Sequence, residues 1–179
     1  MKVLPRTEFG NPILRAKAKA VPLKSLETPE LKNLIREMIF TMRKTGGVGL
    51  AAPQIGRSLR LAVMGMHPTK YRPYLEKRDL IVIVNPRIIE YSKSTKNDWE
   101  GCLSFAPKYI GAVIPRPSSI TVEYHTEKGE KVVEKASGLW ARIFQHEIDH
   151  LNGIGYMDRI KDPKMFMTVN EFRKRNLKK

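Results

Sequence analysis

The sequence predicts an α+β domain, and three observations carry that reading. Apolar residues recur at helical steps in an early segment and again in a late one. Several runs between them are apolar and bounded by turn residues. The order of these runs lacks strand–helix–strand alternation, which argues against a doubly wound parallel sheet. The chain has 179 residues, within the usual range for one domain, so residues 1–179 are read as a single unit. Its 41% apolar and 28% charged residues suit a folded, buried core rather than a disordered chain.

The first helix is predicted over 29–44. Leu31, Leu34, Ile35, Met38, Ile39 and Met42 form one face. Thr28 is the candidate N-cap, Pro29 suits the first helical position, and Gly46-Gly47 stops the helix. Residues 60–66 and 79–92 read as strands, the second with the apolar centre Leu80-Ile81-Val82-Ile83-Val84. Pro86 interrupts that strand or puts it at an edge. Residues 120–125 and 131–135 form a hairpin around Glu127-Lys128-Gly129. A helix follows over 138–151, with Ser137 as candidate cap and Gly153 beyond its end. Asp162-Pro163 opens a last helix that runs into a basic tail.

Composition narrows the functional classes. Lys and Arg outnumber Asp and Glu by 33 to 18, a net charge of +15 that favours an anionic partner such as RNA, a ribosome or a membrane surface. The single cysteine, Cys102, leaves no intramolecular disulfide to form and fits a reducing compartment. No apolar run approaches the ~20 residues of a membrane span. The first residues, Met1-Lys2-Val3-Leu4-Pro5, lack the apolar core of a signal peptide.

Three motifs carry chemistry. His146-Glu147-Ile148-Asp149-His150 lies on the predicted late helix. Four residues turn a helix by about 400° and advance it ~6 Å, so both imidazoles leave one face and can grip one metal ion. Glu147 sits about 100° round, where a carboxylate can take a proton from water. A catalytic tetrahedral site needs a third ligand. No His follows His150, which leaves Asp158, Asp162 and Glu171 downstream, or Cys102 upstream in Glu100-Gly101-Cys102-Leu103-Ser104. A lone cysteine is ordinarily a small buried hydrophobe, but beside two histidines it is a candidate thiolate ligand. The third motif, Gly47-Val48-Gly49-Leu50-Ala51-Ala52-Pro53-Gln54, lacks the lysine of a phosphate loop. It reads either as a tight turn or as a backbone edge for an extended peptide, with the Gln54 amide as a candidate oxyanion donor.

In this order the motifs resemble peptide deformylases: residues 47–54 match G-x-G-x-A-A-x-Q, residues 100–104 match E-G-C-L-S, and residues 145–151 match Q-H-E-x-D-H-L. Gly10-Asn11-Pro12-Ile13-Leu14-Arg15 is similar to the family's opening segment, so the resemblance runs from about residue 5 to about 165. It implies antiparallel sheets around a central helix that carries H-E-x-x-H, with an N-terminal and a C-terminal helix. It also implies removal of the formyl group from N-formyl-methionyl peptides, with release of formate. Cys102, His146 and His150 would bind one divalent ion, typically iron(II) in the family, with zinc, nickel or cobalt tolerated. Glu147 would act as base and then acid, and the Leu103 N–H and the Gln54 amide would face the oxyanion. Val48, Gly49 and Gly101 fall where family members hold the peptide. Arg116 would pair with Glu100; the alternative is a solvated surface arginine.

Leu139 and Ile143 share the face of His146, as lining of a methionine pocket or as plain core. One departure stands out: Phe105-Ala106 precede Pro107 where the family usually has Val or Ile before Pro, and the stretch to Arg116 is about two residues longer. The resulting expectation is a soluble, cytoplasmic deformylase with no membrane and no DNA partner. Five of the last seven residues are Lys or Arg, a ribosome-docking tail or simply a solvated end. The competing classes are a metallopeptidase that uses the same helix and a ribosome- or RNA-binding protein with a degenerate site.

Overall fold

The computed structural model describes residues 1–68, 75–105 and 110–176. Helix α1 spans Pro29–Lys44, and the Thr28 hydroxyl accepts from Leu31 N as its cap. Strands follow at Gly49–Ala51 (β1), Leu61–Met66 (β2), Arg78–Tyr91 (β3), Thr95–Gly101 (β4), Ile110–Pro117 (β5), Ser119–His125 (β6) and Lys131–Ser137 (β7). Helix α2 is Gly138–Leu151, strand β8 is Phe166–Thr168 and helix α3 is Val169–Asn176.

All strand pairs within the two sheets are antiparallel. One sheet has the order β1-β2-β3-β6-β7 and the other β4-β5-β8. The first sheet has helices on both faces. Ala62, Met64, Ile83, Val122 and Ala136 pack with Trp140, Ile143, Phe144 and Ile148 of α2. The alternate residues Leu61, Val63, Val82 and Val84 pack with Leu31, Ile35, Met38 and Met42 of α1. That explains why β2 and the centre of β3 read as continuous apolar runs: neither face meets water. The second sheet supplies a smaller core of Ala112 and Ile114 with Tyr156.

The predicted elements hold with four corrections. Pro86 interrupts β3 but not at an edge: β3 lies third in its sheet, and the register shifts between Val84 and Arg87. Asn85 there adopts φ 52°, and its amide pairs with both the N–H and the C=O of Val21, at 2.8 Å each. Ser137 makes no capping bond, because it still belongs to β7; Gly138, at φ 58°, switches the chain directly from strand to helix. The last helix does not open at Asp162. Asp162 accepts from Lys164 N and caps a single turn, and β8 then pairs with β5 before α3 begins at Val169. Pairing lets Phe166 pack against Phe105 and Tyr156, a gain that a helix from Asp162 would forgo. Strands β4 and β5 were not expected at all. The altered loop at Ala106-Pro107 lies outside the described residues, as do Leu177, Lys178 and Lys179.

Candidate active site

Helix α2 fits between the two sheets and presents His146, Glu147 and His150 toward the end of β4. Cys102 follows β4 directly. Ligand atoms of Cys102, His146 and His150 all lie within 4.8 Å of one another. The Cys102 sulfur is 3.2 Å from His150 Nε2. The two imidazoles stand edge to face, 4.9 Å between centroids. One thiolate and two imidazoles form a donor set that suits a divalent transition metal ion, so the residues present fit such a group.

Electrostatics agree with that fit. Burial alone would push the Cys102 thiol up, but the neighbouring His150 and His146 reverse this and hold it well below the usual thiol value. Burial likewise disfavours charge on His146, yet hydrogen bonds and charge from Cys102 and Glu100 pull it well above an ordinary histidine. The two shifts have one shared origin: Cys102 and the histidines stabilise each other's charged forms, which favours the thiolate. With His146 Nδ1 donating to Glu100 Oε2 at 2.9 Å, Nε2 is the ring nitrogen left to face Cys102, and it carries the lone pair once the ring is neutral.

Glu147 is buried, 4% exposed, and its Oε2 has no hydrogen-bond partner among the described residues. Burial raises its pKa to about 7, opposed by His146 and His150 and assisted by Cys102 and Glu100. The carboxylate lies against β1: a β-carbon placed on Gly49 would fall 2.2 Å from Glu147 Oε1. An unpaired carboxylate with a raised pKa, beside a metal-ligand cluster, has the properties of a general base.

Gln54 is buried in a short turn after β1. Its Oε1 accepts from Ala51 N at 2.8 Å, which turns the NH2 group toward Cys102 Sγ at 3.3 Å and Ser104 Oγ at 3.4 Å. The Leu103 N–H has no acceptor among the described residues, while the Leu103 side chain packs into the α1 core. The third motif is thus an edge strand followed by a turn, not a turn alone. Val48 O accepts from Gly65 N at 2.9 Å and anchors that edge. Gly101 is exposed, and a β-carbon there would meet nothing closer than 3.8 Å. Ile143 is buried in the main core, whereas Leu139 is 40% exposed at the start of α2.

Arg116 is not a surface residue. It grips both Glu100 oxygens at 2.6 and 2.9 Å and reaches Asp149 at 2.6 Å. Burial opposes charge on both partners, yet His146 and Arg116 together hold Glu100 well below the usual carboxylate range, and Glu100 and Asp149 hold Arg116 above its own. Sequence reasoning missed Arg142, Asp149 and Arg159. Arg142 also binds Glu100, at 2.7 Å, and Arg159 takes Asp149 at 2.6 and 3.1 Å. The available signal was a cation and an acid within a helical stretch otherwise read as core. The other candidate ligands are engaged elsewhere: Asp158 with Arg15 and Gly155 N, Asp162 with Lys164 N, and Glu171 with Lys174.

Comparison with known proteins agrees with the site. The sequence model of polypeptide deformylase matches residues 3–166. The peptide deformylase of Chlorobaculum parvum is 43% identical over 159 residues, covering 89% of this chain and 80% of that one. A crystal structure of a class I type b peptide deformylase from Acinetobacter baumannii, bound to Met-Ala-Ser, aligns with a TM-score of 0.84 and 37% identity over 89% of this chain and 99% of that one. The peptide deformylase structure from Thermotoga maritima aligns with a TM-score of 0.77 and 39% identity, covering 90% and 100%. Matching sequence from end to end of the catalytic elements, together with the same fold, shows that the chain belongs to the polypeptide deformylase family.

Proposed function

We propose that this chain is a metal-dependent hydrolase that removes the formyl group from the N-terminal formyl-methionine of nascent polypeptides and releases formate. The observation that carries this reading is the unpaired, buried Glu147 carboxylate beside the Cys102–His146–His150 cluster. Those three residues would hold one divalent ion, iron(II) in our reading, with zinc, nickel or cobalt as substitutes. When bound, the ion supplies Lewis acidity, which eases loss of a proton from water near neutral pH and draws electron density from the formyl oxygen.

The remaining chemistry belongs to the chain. Glu147 takes a proton from the attacking water. Oxygen bonds to the formyl carbon, and the carbonyl electron pair moves onto the oxygen that Gln54 Nε2 and Leu103 N–H face. Glu147 then delivers its proton to the departing nitrogen as the C–N bond breaks, giving formate and a free amine. The peptide lies along the open edge of β1, with Val48, Gly49 and Gly101 toward its backbone. Leu139 and Ile143 are assigned to the methionine side chain. Glu100 and Arg116 support the ligands without touching substrate.

A metallopeptidase using the same helix would need a downstream ligand, and Asp158, Asp162 and Glu171 are committed elsewhere. We further assign the protein to the cytoplasm; among the described residues no helix is long and apolar enough to cross a membrane. The basic end of α3, with Arg173, Lys174 and Arg175 exposed, is assigned to ribosome docking. Phe172 stacks on Trp99 at 4.6 Å and ties α3 to β4. The test of function is formate release from formyl-Met-Ala-Ser, with and without chelator. Chelator-sensitive formate supports the reading. Cleavage of an internal peptide bond without formate would assign the site to a peptidase.

A further inference from the structure

Arg142 is a buried arginine one helical turn before His146, and the chemistry above leaves it without a task. Its NH1 donates to Glu100 Oε1 at 2.7 Å and to Ile114 O at 3.2 Å, and its NH2 donates to Lys96 O at 2.6 Å. Both partners of the Arg142–Glu100 pair are at most 7% exposed.

The two oxygens of Glu100 are divided between neighbouring turns of one helix. Arg142 takes Oε1 and His146 Nδ1 takes Oε2. Residues four apart share a helix face, ~6 Å apart along the axis. Helix α2 therefore clamps a single carboxylate at two points, and that carboxylate sits two residues before Cys102, near the end of β4. Lys96 O belongs to β4 and Ile114 O to β5, so the same guanidinium also registers the helix on the β4–β5 hairpin. Helix and hairpin carry the two halves of the ligand set: His146 and His150 on one, Cys102 on the other. Arg116 holds Glu100 from β5 and reaches the helix beyond His146, at Asp149, whereas Arg142 reaches it from the turn before. Arg142, like Arg116, ties both strands to the helix through one side chain, and it does so one turn before His146, on the same face.

We propose that Arg142 is a positioning residue for His146: it locks the Glu100 carboxylate that receives the His146 Nδ1–H, and so keeps Nε2 aimed at the space shared with Cys102. The inference rests on the metal-holding role of Cys102, His146 and His150 proposed above. Loss of such a supporting partner typically costs about 10–100-fold in metal affinity or activity.

The test uses cobalt(II) as probe on the full chain, with visible absorption and the rate of cobalt release to a chelator as readouts. Cobalt uptake by wild type and its loss in Cys102→Ser establish the ligand set; failure at that step refutes the reading beneath the inference, not the inference itself. Given uptake, Arg142→Met should release cobalt about 10–100-fold faster and shift its absorption, with kcat lowered more than KM is raised. Arg142→Lys, which restores one charged donor, should fall between. In a Glu100→Gln background, Arg142→Met should add less than about threefold, because the partner through which it acts is already changed. Wild-type release and absorption in Arg142→Met would overturn the proposal. So would an effect of equal size with and without Glu100, which marks a merely structural arginine. If Arg142→Met does not fold, Arg142→Lys decides: unchanged release and absorption refute the role, and faster release with shifted absorption supports it.

Discussion

Gly49→Ala tests whether the Glu147 carboxylate works where the structure holds it. The added β-carbon would sit 2.2 Å from Oε1, 2.6 Å from Cδ and 2.9 Å from Cγ of Glu147, whereas ordinary contact begins near 3.4 Å. Strand β1 cannot retreat, because it is in register with β2 and Val48 O is bonded to Gly65 N. The side chain must therefore swing away by about 1 Å. Gly49 is not among the glycines with positive φ, so alanine does not strain the backbone itself. The cost to stability is that of displacing one side chain, ~1 kcal/mol, or a few degrees in Tm. The cost to catalysis is larger: misplacing a reacting group by ~1 Å can lose ~10²-fold. Formate release from formyl-Met-Ala-Ser should therefore fall ~10²-fold in kcat, with metal content normal and Tm within a few degrees of wild type. Turnover within threefold of wild type in a folded, metal-loaded variant would refute this account of the base. Loss of metal instead would mean that the substitution acts through the ligands.

Four further outcomes follow from the same geometry. Glu147→Gln keeps the shape but removes the base, so formate release should drop ~10²–10⁴-fold with metal retained, as metal analysis beside the assay will check. Cys102→Ser leaves two strong ligands and should lose most metal and nearly all activity together; full occupancy would remove Cys102 from the ligand set. Neutralising Arg173, Lys174 and Arg175 with Gln should reduce ribosome co-sedimentation at low salt while leaving short-peptide activity intact; this is cleaner than truncation after Asn170, which would also remove Phe172 from Trp99. Hydrogen bonds from Arg87 and Lys131 lower the Glu123 pKa to about 2, below its unfolded value of about 4.3. The associated stability is present above pH ~4.3 and lost as pH falls toward 2, so the Tm gap between wild type and Glu123→Gln should close over that window and shrink with salt.

What the sequence made legible follows from how local each signal is. Helices α1 and α2 were readable because one face of each is apolar at helical spacing and the other side of the chain is punctuated by Thr28-Pro29 and by glycines. Strand β4 was not, because Thr95-Lys96-Asn97-Asp98 is polar and mostly exposed, and β5 carries Pro115 and Pro117. Their pairing is long-range, and no periodicity announces it. The site divides the same way. His146, Glu147 and His150 are a contiguous motif whose spacing states its geometry. Arg142, Asp149 and Arg159 look like ordinary members of helix and turn, and their roles exist only once Glu100 and Arg116 fold against them from more than one strand.

That long-range cluster is better understood as geometry than as stability. From His146 out to the surface, Glu100, Arg116, Asp149 and Arg159 alternate in sign, with Arg142 as a second cation on Glu100; the Arg159 side chain at the end is 44% exposed. Burying such charges costs desolvation that their attraction only roughly offsets, and an apolar cluster of equal volume can be as stable. An apolar cluster has no preferred direction, however, whereas a carboxylate between two guanidiniums accepts hydrogen bonds only in its plane and at fixed points. The α1 side of the molecule, which holds no ligand, is packed with Leu, Ile, Met and Val. The α2–hairpin contact, where Cys102 on one body must meet His146 and His150 on the other, is where the charges lie. Direction is what the proposed three-residue ligand set, split between helix and hairpin, requires, and the buried ions supply it through the Glu100 carboxylate that receives the His146 Nδ1–H.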